Sequence, residues 1–375
     1  MINVLIWGGG LQGLSVAHSL QSHCCITAIS LSNCILNSKF INYKFKHSIN
    51  DYDFLMKVLQ NKHYDIIIPM GDKTAEYLSE NKEFIEKTYE TRCAVADYSS
   101  LKIVVNKASF MQFCLDHDIP CPKTISLSNT IDEQKLANFP FPAMIKPNTS
   151  VGARGITKVN DISDLKTKLP DIQQKFGDCS LQEYINNKEY YYNVMMYRDS
   201  EGKFLEYAII KIVRFYPIEA GSSTCCISVE NEELLDICKD ALTKLNWHGM
   251  ADFDVLQRKD TGEYKIIEIN PRVPASLRAA AVSGVNFPLT MVSECLGQSV
   301  KSSTYEPGKV LRYLGTDLLW FLKSKNRLKN SPSWFHFWGA NIFYQDVYLS
   351  DPQTWISWLS DGLKKFFTRF QSHNL

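Results

Sequence analysis

The chain's 375 residues exceed what one hydrophobic core usually organises, so two or three domains are expected. A composition of 45% hydrophobic and 22% charged residues is that of an ordinary globular protein, and a net charge of +1 gives no overall field toward nucleic acid or an acidic membrane. No apolar run approaches the ~18 residues of a membrane span, and the opening MINVLIWGGG, without a basic segment or a small-residue cleavage site, reads as a first strand and not a signal peptide.

Residues 2–7 (INVLIW) predict a strand, followed by a GxGxxG at Gly8, Gly10 and Gly13 and a helical stretch at 14–20. Strand, Gly-rich turn and helix together suggest a dinucleotide site. The next strand, 25–30 (CITAIS), runs into Ser30, Leu31, Ser32 and Asn33, where no acid is present to hold a ribose hydroxyl. A nicotinamide cofactor is therefore not expected, and the glycines read as close helix–strand packing. Residues 53–61 read as a helix and 65–69 (DIIIP) as a third parallel strand ending at Gly71-Asp72. Open α/β sheets place ligand groups at that carboxyl edge, which makes Asp72 a substrate-side candidate; the favoured alternative is an N-cap for a helix over 73–79.

Residues 106–119 read as a helix closed by Pro120-Cys121-Pro122, a domain boundary. Residues 139–146 (FPFPAMIK) predict a strand ending in Lys146, 147–155 (PNTSVGARG) a loop, and 156–159 a returning strand. Such a hairpin suits a flap over phosphates, with backbone N–H groups and Arg154 as donors and Lys146 as a point charge; an exposed hairpin with an ordinary Lys is the alternative. A helix over 165–176 follows, then strands at 180–185 and 189–196, and a strand at 204–213 with Lys211 and Arg214 at its end. Gly221-Ser222-Ser223-Thr224 reads as a polar loop and 231–245 as an amphipathic helix.

Residues 249–272 (GMADFDVLQRKDTGEYKIIEINPR) read as a two-stranded hairpin turned at Asp260-Thr261-Gly262. Side chains alternate along a strand, so Glu268 and Asn270 share a face, Arg272 follows them, and Asp254 on the partner strand can oppose them. A Glu and an Asn on one face of an otherwise hydrophobic strand call for compensation, and a hard divalent cation with oxygen ligands supplies it; a solvated surface hairpin is the alternative. Beyond it, 274–283 carries Arg278 in a helix, 288–296 begins another, and 310–322 reads as a strand entering a helix, with Arg312 and Asp317. The Trp-rich tail is amphipathic over 354–370, with Lys364, Lys365 and Arg369. A helix on a membrane surface is one reading; packing on the body of the protein or on a second subunit, as in a homodimer, is favoured because so few cations are present. Eleven scattered Cys without a CxxC fit buried small hydrophobes in a reducing cytoplasm, the expected location.

Four motifs in order, NKASFMQFCLDHDIPCP, FPAMIKPNTSVGARGI, LQEYINNKEYYYNV and DFDVLQRKDTGEYKIIEINPR, resemble the ATP-grasp superfamily over residues 1 to about 300. The likeness is to the carbamoyl-phosphate-synthase/biotin-carboxylase-like branch and its amino-acid ligases. The resemblance implies an α/β and α+β protein: a Rossmann-like domain over 1–105, a two-lobed ATP-grasp domain over 106–300 with a flap lobe at about 123–190, and an aromatic-rich extension over 301–375. It implies that Lys107 and Lys146 contact ATP phosphates, and that Gln182, Glu183, Tyr184 and Ile185 form the adenine hinge. It further implies Glu189 at the ribose, Lys211 at the nucleotide, and Asp254, Glu268 and Asn270 on Mg²⁺ or Mn²⁺, with two ions expected. Arg272, Arg214 and Arg154 would face the transferred phosphoryl group. An Arg commonly stands at the place of Asp252 in the D-alanine-ligase branch; here Asp252 would meet an amine. The biotin-carboxylase substrate motif is replaced by VPASLRAAA, where Ser276 and Arg278 are candidates for the substrate, Arg278 for its carboxylate unless it is a surface Arg. The implied activity is ATP-dependent joining of a small-molecule carboxylate and amine through an acylphosphate, releasing ADP and phosphate. Bicarbonate phosphorylation and a non-catalytic nucleotide-binding module are the alternatives.

Overall fold

The enclosed side chains Val4, Leu5, Ile6 and Trp7 make β1 (Ile2–Trp7) the central strand of a parallel sheet. The structure is a computed structural model that describes residues 1–127, 136–149, 154–186, 191–218, 221–301 and 303–357. Alongside β1 stand β2 (Cys24–Ser30), β3 (Tyr43–Lys46), β4 (Ile66–Pro69) and β5 (Arg92–Cys93), in the order β3-β2-β1-β4-β5. The strand expected as third is thus β4, and it pairs directly with β1. The intervening edge strand β3 shows no apolar alternation, because Tyr43, Lys44 and Lys46 are exposed. Gly13 does pack closely: a Cβ there would come within 2.7 Å of Ile35 Cδ1. Ser30 donates its hydroxyl to Gly9 O at 2.8 Å, within the glycine turn.

The second sheet joins β6 (Thr124–Leu127), β7 (Ala143–Pro147), β8 (Thr157–Val159) and β9 (Cys179–Glu183) in the order β6-β9-β7-β8, all antiparallel. The helix Ile162–Phe176 covers one face through Leu165, Leu169 and Ile172, which pack with Ala143, Ile145, Val159 and Leu181.

The largest sheet contains β10 (Tyr191–Arg198), β11 (Phe204–Tyr216), β12 (Ser222–Ser228), β13 (Gly249–Gln257), β14 (Tyr264–Asn270), β15 (Val310–Arg312) and β16 (Ile342–Tyr344). Their order is β14-β13-β10-β11-β12-β15-β16. The segment expected as a polar loop at 221–224 is instead the start of β12: Thr224, Cys225 and Cys226 are buried between β11 and β15, where small side chains fit a central strand. The chain beyond 300 adds β15 and β16 to this sheet. One sheet face, with Val194, Met196, Phe253 and Val255, shares a core with Leu5 and Trp7 of the first domain. The opposite face, with Met195, Ile210 and Ile212, packs on the helices Leu277–Val282 and Phe287–Cys295.

Candidate active site

The hairpin β13–β14 forms as its alternation implies, with one irregularity that matters. Asp254 pairs with Glu268, but Val255 pairs with Ile266, so Ile267 is an extra residue in β14. Such a bulge re-aims the strand beyond it, and here it sets Glu268 opposite Asp254 and Asn270 opposite Asp252.

Lys107 enters this cluster from another part of the chain. Asn106 caps the helix Lys107–Asp116 by accepting from Ser109 N at 3.1 Å, which leaves Lys107 at the first helical position. Its backbone N–H donates to Asn148 O at 3.0 Å, beside the end of β7. Its Nζ lies 2.7 Å from Glu268 Oε1, 161 residues away. Lys146, on β7, is held down to about 8 by desolvation; Glu268 and Asp254 pull it upward and Lys107 pushes it further down. Both lysines and both carboxylates therefore act on one another.

Burial first, and then the charge of Glu268, raises Asp254 to about 6. Asn193 Nδ2 donates to Asp254 Oδ1, and Tyr191 is hydrogen-bonded to the same carboxylate. Neither residue was singled out from the sequence, although both lie on the Asp254 face of β10 and could have been found by its alternation. Asn270 Nδ2 donates to Asp252 Oδ2 at 3.3 Å and Asp254 Oδ2 at 3.4 Å, while its Oδ1 accepts from Arg272 Nη2 at 3.0 Å. Among the described residues, no three or more His, Cys, Asp and Glu side chains converge as a metal site. The donor set is instead two facing carboxylates and an amide. Two facing carboxylates, one of them raised by burial and by the charge of the other, suit a hard cation, so the residues fit Mg²⁺ or Mn²⁺. Asn270 Oδ1, which accepts one hydrogen bond from Arg272, keeps a second lone pair that could join them.

Arg272 Nε donates to Asp72 Oδ1 at 2.9 Å. This corrects the N-cap reading of Asp72. The helix Asp72–Glu80 is capped by Gly71, whose N–H donates to Thr74 Oγ1, and Asp72 occupies its first turn. Asp252 is buried, and its Oδ1 has no hydrogen-bond partner.

In the expected hinge, Gln182 is buried and donates to Thr124 Oγ1 at 3.1 Å. Glu183 accepts from Arg258 Nη2 and from Lys123 N, which ties the small sheet to the β13–β14 turn. Tyr184 lies beneath Lys158 Nζ at 3.9 Å, and Ile185 is buried. With the Glu183 side chain so engaged, the backbone is what this segment offers an adenine. Arg154 sits in an exposed turn. Glu189, the centre of the flap loop at 150–153, and the tail beyond 357 lie outside the described residues.

Three expectations differ from the geometry. Lys211 pairs in register with Tyr192, on the face opposite Asn193 and Asp254, and its Nζ stands 5.9 Å from the Tyr192 ring. Arg214 is fully buried: its Nε and Nη2 bond Asp317 at 2.7 and 3.1 Å, and its Nη1 donates to Pro332 O. A β-bulge beside Ile212 turns Arg214 toward Arg312, which shares the same carboxylate. That guanidinium is committed within the sheet and offers no face to a phosphoryl group. Arg278 is not a free surface residue: it packs 3.5 Å from the Tyr348 ring and donates Nη1 to Val347 O. Ser276 precedes the helix Leu277–Val282 as its N-cap residue, with no side-chain capping bond.

The chain thus combines a parallel first domain, a small antiparallel lobe and a large lobe, with two lysines and an acidic hairpin brought together, and part of it matches an ATP-grasp family. Residues 175–315 match the family described as ATP-grasp in the biosynthetic pathway with Ter operon. Over 246 residues the chain is 26% identical to a D-aspartate ligase of Enterococcus faecium, covering 61% of this chain and 58% of that protein. It is 21% identical to the carbamoyl phosphate synthase large chain of Methanobrevibacter smithii over 252 residues, 64% of this chain and 24% of that one. The chain thus spans only part of the length of these relatives. The fold also matches the Campylobacter jejuni biotin carboxylase in its β-γ-ATP complex, with TM-score 0.69, 17% identity, and coverage of 82% of this chain and 74% of that one. An ADP complex of N5-carboxyaminoimidazole ribonucleotide synthetase matches with TM-score 0.68, 14% identity, and coverage of 87% and 85%. No helix among the described residues is long and apolar enough to cross a membrane.

Proposed function

We propose that the chain is an ATP-dependent carboxylate–amine ligase that forms an amide or peptide bond through an acylphosphate. The observation that carries this is the 2.7 Å pair between Lys107 and Glu268, which brings a phosphate-binding cation to an acidic, oxygen-rich hairpin. Lys107 and Lys146 neutralise ATP phosphates, the hinge backbone beside Ile185 holds the adenine, and Arg272 stabilises charge on the moving phosphoryl group. Mg²⁺ held by Asp254, Glu268 and Asn270 would offset the charge between the phosphates.

A carboxylate oxygen of the first substrate attacks the γ-phosphorus and ADP leaves. The amine then attacks the acyl carbon, phosphate leaves with the bonding pair, and the amine proton passes to solvent or base. Coupling is required because a carboxylate is a poor electrophile, and the acylphosphate must be kept from water. The D-aspartate ligase relative supports an amino acid as one substrate to test first.

The test is ADP release with panels of amino acids as carboxylate and amine donors. Turnover that needs both components is expected, and it is lost in Lys146→Ala and Glu268→Ala with the circular dichroism unchanged. ADP formed with bicarbonate alone would select the bicarbonate-phosphorylating alternative. ADP release retained by either variant would remove these residues from the site.

A further inference from the structure

Residues 318–345 contain no Asp or Glu. Four cations, Lys323, Lys325, Arg327 and Lys329, stand at every second position within them and all are exposed. Among the described residues, none of the four has a carboxylate partner. The same segment carries protruding apolar side chains: Leu328, between Arg327 and Lys329, is 74% exposed, Leu322 62%, Phe335 59% and Trp338 82%.

The aromatic members of this segment rest on one another, and Arg327 lies beside them. Phe321 stacks on Trp334 at 4.0 Å, and Trp334 meets Phe335 at 5.4 Å and Phe337 at 4.8 Å. Trp338 continues the series at 5.9 Å from Phe337, and Arg327 lies 5.8 Å from the Phe321 ring. Beneath them, the buried Asp317 accepts from both Arg214 and Arg312. The exposed rings of Phe335 and Trp338 are therefore backed by neighbouring rings. Large apolar side chains seldom protrude together on a surface that has no contact to make.

We propose that this surface docks on an anionic phospholipid bilayer. Trp338, Leu328 and Leu322 enter the headgroup layer, and the four cations face lipid phosphates. Charge argues against a second copy of the chain, since a two-fold contact would set the four cations against themselves. Leu322 and Leu328 have nothing to stack on a nucleic-acid base. An acidic protein would seat its apolar anchors in a central, water-free patch, whereas Leu322, Leu328 and Trp338 are 62%, 74% and 82% exposed and stand apart along the segment. The whole-chain charge of +1 conceals the feature because the balancing acids lie outside residues 318–345.

The experiment is co-sedimentation of the full chain with vesicles of phosphatidylcholine alone or mixed with phosphatidylglycerol. Binding is expected only to the anionic vesicles and should weaken at raised salt. A Leu328→Ser/Trp338→Ser variant and a Lys325→Glu/Lys329→Glu variant should each weaken it about tenfold or more, with unfolding temperatures unchanged because all four residues are exposed. Equal binding to both vesicle types, or binding to neither, overturns the proposal. Capture by polyglutamate without any vesicle binding overturns it as well and assigns the surface to an acidic protein.

Discussion

Asp72 and Arg272 are 200 residues apart in sequence and joined at 2.9 Å by a carboxylate–guanidinium contact. Asp72 leaves the parallel sheet just beyond β4, and Arg272 leaves the acidic hairpin just beyond β14. The same guanidinium donates to Asn270, so the first domain orients a side chain at the centre of the proposed site. Asp72→Asn should lower the rate of ADP formation about ten- to a hundredfold and leave the KM for ATP nearly unchanged. Steady-state kinetics check this, with Asp72→Glu as the partial rescue. If Asp72 served only the helix it begins, the substitution would lower the unfolding temperature and leave kcat alone.

How much of this was legible beforehand depends on the range of the interaction. The hairpin could be read because strand alternation and the Asp260-Thr261-Gly262 turn are local. Lys146 could be located as the end of a strand, whereas Lys107 came only from the likeness to the ATP-grasp superfamily. The bulge at Ile267 could not be read, since both registers keep an isoleucine-rich strand. Arg214 was misplaced for a similar reason: its carboxylate partner lies 103 residues further on, and a bulge decides which way it points. Strand β12 escaped because its small polar residues suggest a loop until neighbours on both sides bury them.

The Arg214–Asp317–Arg312 group makes a stability prediction distinct from catalysis. Asp317 is fully buried and offsets two guanidiniums. Asp317→Asn strands both and should cost about 3–5 kcal/mol, read from the urea midpoint. Arg214→Met should cost less, because Asp317 keeps Arg312. A larger loss from Arg214→Met than from Asp317→Asn would contradict this assignment of charge.

Lys146 predicts a pH dependence. Its ammonium is held down to about 8, below its ordinary 10.5, chiefly by desolvation. The native state therefore releases this proton before the unfolded state does. Its burial lowers stability below pH ~8, and the penalty fades as pH rises toward 10.5. ATP binding should show the opposite trend, because the phosphates require the charged form. The KM for ATP should climb above pH ~8 in the wild type, and Lys146→Arg should move that limb upward, since a guanidinium stays charged. Parallel profiles for the two proteins would assign the limb to another group.

Asp252 carries the remaining prediction. It is 3% exposed, its Oδ1 has no partner, and it lies beside Asn270 on the face that bears Asp254. Burial, followed by the charge of Asp254, pushes its carboxyl well above the usual range. A buried carboxyl with one oxygen unpartnered opposes folding, so a ligand that completes Oδ1 would relieve it, and the amine substrate is the complementary group. Asp252→Asn should raise the unfolding temperature while increasing the KM for the amine about tenfold and leaving that for ATP unchanged. A variant with lower stability and unaltered amine KM would show instead that Asp252 supports the hairpin and does not meet substrate.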